Sequence, residues 1–473
     1  MVSITKIGMY LCVLSVMLSC QSVQTEKILA EKPPMGWNSF MSYGVYLHEQ
    51  AAMENLEAMA EKLKSYGYEY YVIDNGWFGE YVLQPGTMYP AEKHASDVRI
   101  NEYGLLQPSE CYFPNGMQPI IDRCHELGLK FGVHLMRGIP RKAVKQNLPI
   151  QGTPYHAQDI ADINSICAWC DYNYGVDMSK PGAQEFYNSL VNQLASWGVD
   201  FIKADDIVPF PEEVVAMAKA IEQCGRPIML SLSPGGNAPI ENIASYRYGN
   251  MLRVTADIWD DKHGIDQCFD AWKKWQGTEQ SGFYPDMDMI PFGQLQLMSP
   301  KPANLGNRSK ADLQAQAKAG TLEDDIALLA GKGWHRQCEF TEPQMLSFIT
   351  LRALSASPLM MGGDLPSLDD YSLSLLTNAD MLACNQNSVM GHLAYESGGI
   401  EVWNTPEQGA VNAGWLGVFN RTDSPQSVSL TPEQLGLDAK QTYKMRDVWN
   451  IHTISASTDY KIPADGVVFI RYE

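Results

Sequence analysis

The chain has 473 residues, room for two or three domains of roughly 150 residues, or for one large barrel plus a smaller unit. Hydrophobic residues make up 45% and charged residues 19%, an ordinary balance for a globular protein with a sizeable core. The formal net charge of −20 offers no basic patch for nucleic acid and no attraction to anionic lipid.

Residues 1–20 read as a targeting segment. Lys6 supplies a small positive region, and Ile7 to Leu18 is an apolar run too short to span a bilayer. Met17-Leu18-Ser19-Cys20 then resembles a bacterial lipoprotein cleavage site, although Leu normally stands where Met17 is. That reading makes Cys20 a lipidated, anchoring residue. Simple secretion is the alternative. Residues 21–32 form a polar tether. Eight further cysteines are scattered, and Cys167-Ala-Trp-Cys170 has no second pair downstream. A local disulfide or two free thiols fit it better than zinc.

Residues 33–387 alternate strand and helix. Met35–Phe40 is the first strand. His48–Tyr66 is a helix with Met53, Leu56, Met59 and Leu63 on one face, ended by Gly67. Tyr68–Trp77 is strand two. Gln118–Leu127 is a helix, and Leu129–Gly138 is strand three. Ser179 is the expected cap of a helix with Pro181 in its first turn and Phe186, Leu190, Leu194 and Trp197 as its stripe. Gly198–Ile207 is strand four, ending in charge, and a helix from Pro211 to Gly225 follows. Arg226–Ser233 and Met251–Asp257 are strands five and six, and His263–Trp275 is helical. Tyr284–Ile290 is strand seven. Residues 291–340 are too long for an ordinary barrel loop. A helix from Thr341 to Ser355 and strand eight, Ser357–Gly362, close the series. Eight strands alternating with helices predict a (β/α)8 TIM barrel. An open doubly wound sheet lacks the glycine-rich phosphate loop it would need. Residues 388–473 change to short strands joined by turns, which predicts an antiparallel β-sandwich.

In such barrels, chemistry sits at the C-terminal ends of the strands. Collecting those ends gives Asp74 and Asn75, then His134, then Lys203, Asp205 and Asp206. Ser233, Arg253, Asp257, Asp286 and Asp288 follow. Any one of these is as well explained by a cap or an ion pair. Acid groups from four strands converging on one rim are not. Period two puts Lys203 and Asp205 on one face and Asp206 on the other, and likewise groups Arg253, Thr255 and Asp257. Paired carboxylates with no obvious metal cluster suit glycoside hydrolysis. Lys203 keeps Asp205 ionised as a nucleophile, and Asp257 needs burial or a negative neighbour to act as an acid. Trp37, Phe40 or Trp77 can stack on a sugar ring.

The residues carry a resemblance along nearly all of the chain after the targeting segment. Pro33-Pro34-Met35-Gly36-Trp37-Asn38-Ser39, Ile73-Asp74-Asn75-Gly76-Trp77, Gly198 to Asp205, Arg253 to Asp257 and Pro285-Asp286-Met287 resemble co-linear motifs of glycoside hydrolase family 27. This is the family of α-galactosidases and α-N-acetylgalactosaminidases. Phe340 to Asp364 and Leu376 to Gln386 are similar to its last barrel strand and its entry to the sandwich. The resemblance implies a retaining, exo-acting mechanism on terminal α-linked galactose. It makes Asp205 the nucleophile and Asp257 the acid/base. It also implies substrate contacts from Trp37, Asp74, Asn75, His134, Lys203, Ser233, Arg253 and Asp286, with no metal and no cofactor.

The chain departs from the family pattern at several points. Asn75 replaces the second Asp of a pair, and His134 stands where Tyr is common. Gly76 and Ile207 replace cysteines of two family disulfides. Ser233 and Gly236 are small where galactose-selective members carry Glu and a bulky residue. That favours N-acetylgalactosamine as an alternative sugar, and β-L-arabinopyranosides are a further family specificity. A non-catalytic sugar-binding lipoprotein on an inactive barrel is the rival of a different class.

Overall fold

The computed structural model describes residues 29–86, 88, 95–297, 335–450, 453–454 and 459–473. The targeting segment 1–20, most of the tether and most of the 291–340 insertion lie outside the described residues. Among those described, no helix is long and apolar enough to cross a membrane.

Eight parallel strands build the barrel: β1 (Met35–Asn38), β2 (Tyr70–Ile73), β3 (Lys130–Met136), β4 (Phe201–Asp205), β5 (Met229–Leu232), β6 (Met251–Arg253), β7 (Tyr284–Asp286) and β8 (Leu359–Met361). Their order in the sheet is β7-β6-β5-β4-β3-β2-β1-β8. Ile290, just beyond β7, bridges to Met361 in parallel, so the two ends meet and the sheet closes. Closure rules out the open doubly wound alternative.

The connecting helices follow apolar stripes. In α1 (Glu49–Lys62), Leu56 and Met59 are buried, and His48 sits outside as the cap, accepting from Ala51 N–H at 3.2 Å. Gly67 turns the chain with φ 95°, a left-handed conformation that Gly adopts without steric cost. The helices α2 (Gln118–Glu126), α3 (Ala183–Trp197), α4 (Pro211–Gln223), α5 (Lys262–Trp275) and α6 (Glu342–Leu354) stand where expected. The start of α3 is a correction. Gly182 occupies the cap, while Ser179 gives its hydroxyl to Asp177 at 2.6 Å in the preceding turn. A three-stranded antiparallel sheet (139–140, 161–166 and 173–176) rises between β3 and α3, and periodicity did not reveal it. All eight described cysteines, Cys167 and Cys170 included, are free thiols.

The C-terminal sandwich has a six-stranded sheet: His392–Ser397, Ile400–Pro406, Gly414–Asn420, Val467–Tyr472, Met445–Asp447 and Thr453–Ile454, in that spatial order. A two-stranded sheet (Gln426–Ser429 with Asp459–Ile462) covers it. Ile400, Val402, Leu416, Val418 and Ile470 form the core between them. The sandwich docks on α5 and α6. Trp272 stacks on Trp403 with ring centroids 3.8 Å apart, and Thr405 donates to the Leu354 carbonyl at 2.8 Å. Two buried indoles in contact give this junction the character of a core rather than of a hinge.

Candidate active site

The C-terminal ends of β2, β4, β6 and β7 meet in one cavity of about 1630 Å³. Its floor is a charged cluster. Lys203 Nζ lies 2.8 Å from Asp74 Oδ2 and 3.7 Å from Asp205 Oδ2. Asn38 also donates to Asp74 Oδ2, at 2.6 Å. His134 Nε2 lies 2.9 Å from Asp205 Oδ2. Strand register explains the grouping, because His134 pairs with Lys203 across β3 and β4 and so points the same way. Asp206, one residue on, turns to the other side and meets Arg137 at 3.0 Å. The shared face read for Lys203 and Asp205 holds, whereas Asp206 lies just beyond β4 at φ 62°, so that turn and not strand alternation sets its direction.

Burial alone would push the Asp205 carboxyl up. The Lys203 ammonium and then His134 outweigh it and hold the group well below the ordinary carboxylate range. Asp74 follows the same pattern, raised by burial and lowered more by Lys203 and His134. Burial works against the charge on Lys203, but Asp205 and Asp74 more than restore it. The floor thus holds an ionised lysine between two ionised carboxylates. Asp74, His134 and Asp205 offer ligand atoms within 4.8 Å of one another. The Lys203 ammonium already stands as a cation between the two carboxylates and offsets part of their charge.

The second carboxylate is reached by a route different from the one expected. β6 ends at Arg253, and Asp257 lies on the loop beyond it. A strand face therefore does not align Arg253, Thr255 and Asp257. Arg253 does so by reaching along the loop, with Nη1 3.0 Å from Asp257 Oδ1 and 3.3 Å from Asp288 Oδ2. Asp288 also accepts from Ile258 N–H at 2.9 Å, which ties the loop to the end of β7. Asp288 adopts φ 74° to do this. The Asp257 side chain is 48% exposed, so burial is not what would adapt it to an acid role.

Four expected substrate contacts are placed elsewhere. Trp37 is fully buried, stacks on Tyr71 and donates to the Gly363 carbonyl at 2.8 Å, so it is core. Trp77 is core as well, and Phe40 is the aromatic of that trio on the cavity wall. His134 stands behind Asp205 and does not line the cavity. Ser233 is buried beside a cis Ser233–Pro234 bond, off the cavity surface. Asp286 is buried next to Asp288, where burial and then that negative neighbour raise its carboxyl to about 6. Asp288, not Asp286, reaches the wall. The residues that do line it as expected are Asp74, Asn75, Lys203, Asp205, Arg253 and Asp257.

Gly236 also requires a correction. A Cβ there would sit 2.7 Å from Ala256 N and 2.9 Å from the Thr255 carbonyl carbon. Its smallness lets two backbones approach and does not open space for an N-acetyl group.

Buried polar atoms without a partner among the described residues gather here: Asn75 Oδ1, His134 Nδ1, Asp205 Oδ1, Ser233 Oγ, Arg253 Nε and Thr255 Oγ1. Buried polar groups are nearly always paired in native proteins, so such a concentration marks a place built for a hydrogen-bonding ligand. Asp288 and Thr255, which the strand-end reading had picked out without a substrate role, line the wall, and so does Trp169, which that reading did not select. Trp169 sits on a loop between two short strands, with no period to betray it.

Comparison with known proteins agrees with the architecture. Residues 397–472 match the alpha galactosidase C-terminal beta sandwich domain. A β-L-arabinopyranosidase of glycoside hydrolase family 27 from Geobacillus stearothermophilus is 35% identical, with a TM-score of 0.81 over 94% of this chain and 97% of that one. A Bacillus halodurans protein assigned as an α-N-acetylgalactosaminidase is 33% identical, with a TM-score of 0.75 over 93% and 97%. Alpha-galactosidase A of Cellvibrio japonicus is 26% identical over 95% of this chain and 94% of its own.

Proposed function

The chain belongs to glycoside hydrolase family 27 and is a hydrolase of the α-galactosidase type, and from that premise we propose that it releases terminal α-D-galactopyranosyl units with retention of configuration. The observation that carries the reading is the asymmetry of Asp205. Oδ2 is held by His134, while Oδ1 is buried without a partner and its carboxyl is kept ionised. Oδ1 attacks the anomeric carbon as the bond to the leaving oxygen breaks. Asp257 gives its proton to that oxygen. Asp257, now a carboxylate, takes a proton from the water that hydrolyses the glycosyl ester, and Asp205 is released. Asp74, Asn75 and Arg253 supply hydrogen bonds to the ring hydroxyls, and Phe40 supplies an apolar face. No step needs a metal or a cofactor.

Similarity to a β-L-arabinopyranosidase favours a second reading. Those sugars share the ring configuration of α-galactosides and lack only the C6 hydroxymethyl, so one set of floor contacts serves both. An N-acetylgalactosaminide preference rests on similarity alone, because Gly236 makes no room for it.

The test is hydrolysis of the three p-nitrophenyl glycosides side by side, with Asp205→Asn as the control. The wild type should favour the α-galactoside. Asp205→Asn should lose about 10³-fold or more in kcat while still binding sugar. Full activity in that variant sinks the nucleophile assignment.

The same proposal places the protein outside the cytoplasm, lipid-anchored at Cys20, on the strength of Lys6, the apolar run Ile7–Leu18 and Met17-Leu18-Ser19-Cys20. Metabolic labelling with a fatty acid should mark the wild type and spare Cys20→Ser.

A further inference from the structure

The cavity is larger than one sugar ring requires. Small-molecule sites run to about 1,000 Å³, and this one exceeds that. Its depth is graded. Asp74 and Asp205 are buried at the floor, whereas the Asp257 side chain is half exposed at the rim. In the proposed reaction the leaving oxygen is protonated at Asp257, so whatever follows that oxygen faces the mouth.

Trp169 is at the mouth. It lines the same cavity and is 52% exposed, an unusual state for an indole. It sits at the tip of the antiparallel excursion between 161–166 and 173–176. That excursion is anchored to the barrel. Asn173 Nδ2 donates to the Met136 and Arg137 carbonyls at 3.2 and 3.0 Å, at the end of β3. Tyr172 packs its ring edge-on to Phe78 at 5.9 Å. Cys167, two residues before Trp169, is buried. The indole is thus held out over the opening by a tied-down support, which costs little entropy when a ligand arrives.

We propose that the mouth is a leaving-group subsite in which Trp169 stacks on the second pyranose ring of an oligosaccharide substrate. The proposal rests on the assignment of Asp205 and Asp257 above. An indole face is apolar and flat, like the hydrogen-bearing face of a pyranose. Trp169 therefore gives affinity to the leaving sugar without contacting the terminal one. Asn237 and Gln267, on the cavity wall with no hydrogen-bond partner among the described residues, can meet its hydroxyls.

The test compares two substrates with the same terminal sugar, the one preferred in the three-glycoside assay. One is its glycosyl fluoride, which has no leaving sugar. The other is its α-(1→6)-linked disaccharide. Trp169→Ala in the full chain should cut kcat/KM for the disaccharide roughly tenfold and leave the fluoride within about twofold. Trp169→Phe should restore most of the loss. An equal loss on both substrates, or no loss on either, overturns the subsite. A wild type that turns over neither substrate, with Asp205 intact, overturns the assignment of the reaction itself.

Discussion

His134 Nε2 lies 2.9 Å from Oδ2 of Asp205, while Oδ1 of that carboxylate has no partner among the described residues. An ionised carboxylate only accepts hydrogen bonds, so the imidazole donates through Nε2–H. One oxygen is therefore committed to the protein, and in the proposed reaction the other is the one that attacks. His134 is then a positioning residue, not a sugar ligand.

Removing that donor should weaken the ionised form of Asp205. His134→Phe is expected to move the acid limb of the kcat/KM profile to higher pH by about one unit. His134→Gln, which keeps a donor, should hold the limb near its original position. A loss of rate in His134→Phe with no movement of the limb would assign the residue a packing role only.

Lys203 joins the two carboxylates, so Lys203→Met leaves like charges buried side by side. A loss of about 3 kcal/mol at neutral pH is expected. The sign with pH follows from the lowered carboxyls of Asp74 and Asp205. Their contribution is present above the unfolded value of about 3.9 and fades as pH falls through the folded values. Denaturant midpoints of the two proteins should converge on acidification. A constant gap would mean that Lys203 stabilises by packing alone.

Gly236 packs against the backbone that leads to Asp257, with a would-be Cβ 2.7 Å from Ala256 N. Gly236→Val must displace one of the two loops. Because displacement of a catalytic group by about 1 Å costs on the order of 10²-fold, kcat should fall by one to two orders of magnitude on all three p-nitrophenyl glycosides. A selective loss on the N-acetylgalactosaminide would instead restore the view that Gly236 makes room for an acetamide.

Asp286 is the buried carboxyl raised to about 6, by burial first and Asp288 second. The native state therefore binds the extra proton between pH about 4 and 6, and stability falls as pH rises through that window. Asp286→Asn removes the cost. It should raise stability above pH 6 by up to about 3 kcal/mol and give little at pH 4, read from denaturant midpoints. An equal shift at both pH values would rule out titration of Asp286 as the cause.

Much of the site was legible in the chain. Lys203 and Asp205 alternate along a strand, so their shared face follows from period two. Asp74 and Asn75 end a run of Tyr and Val and could only arrive at the barrel rim. Trp37 and His134 were misread because period two gives a face but not a depth. Trp37 is packed against Tyr71 with its indole N–H on the Gly363 carbonyl, and His134 stands one layer behind Asp205. Asp257 does line the cavity, but an arginine, not a strand face, holds it there.

The sequence by itself determined the eight-strand alternation, the switch to a sandwich and the pairing of a lysine with a carboxylate on β4. These are consequences of local period and of the cost of an unpaired buried charge, which neighbours in the chain already reveal. The tertiary structure alone decided which oxygen of Asp205 is free, that Asp288 and Arg253 hold Asp257, and that Trp169 stands over the mouth. Each of these joins residues from loops or from different strands. Such contacts are set by how the closed barrel brings its strand ends together, and no local pattern records that.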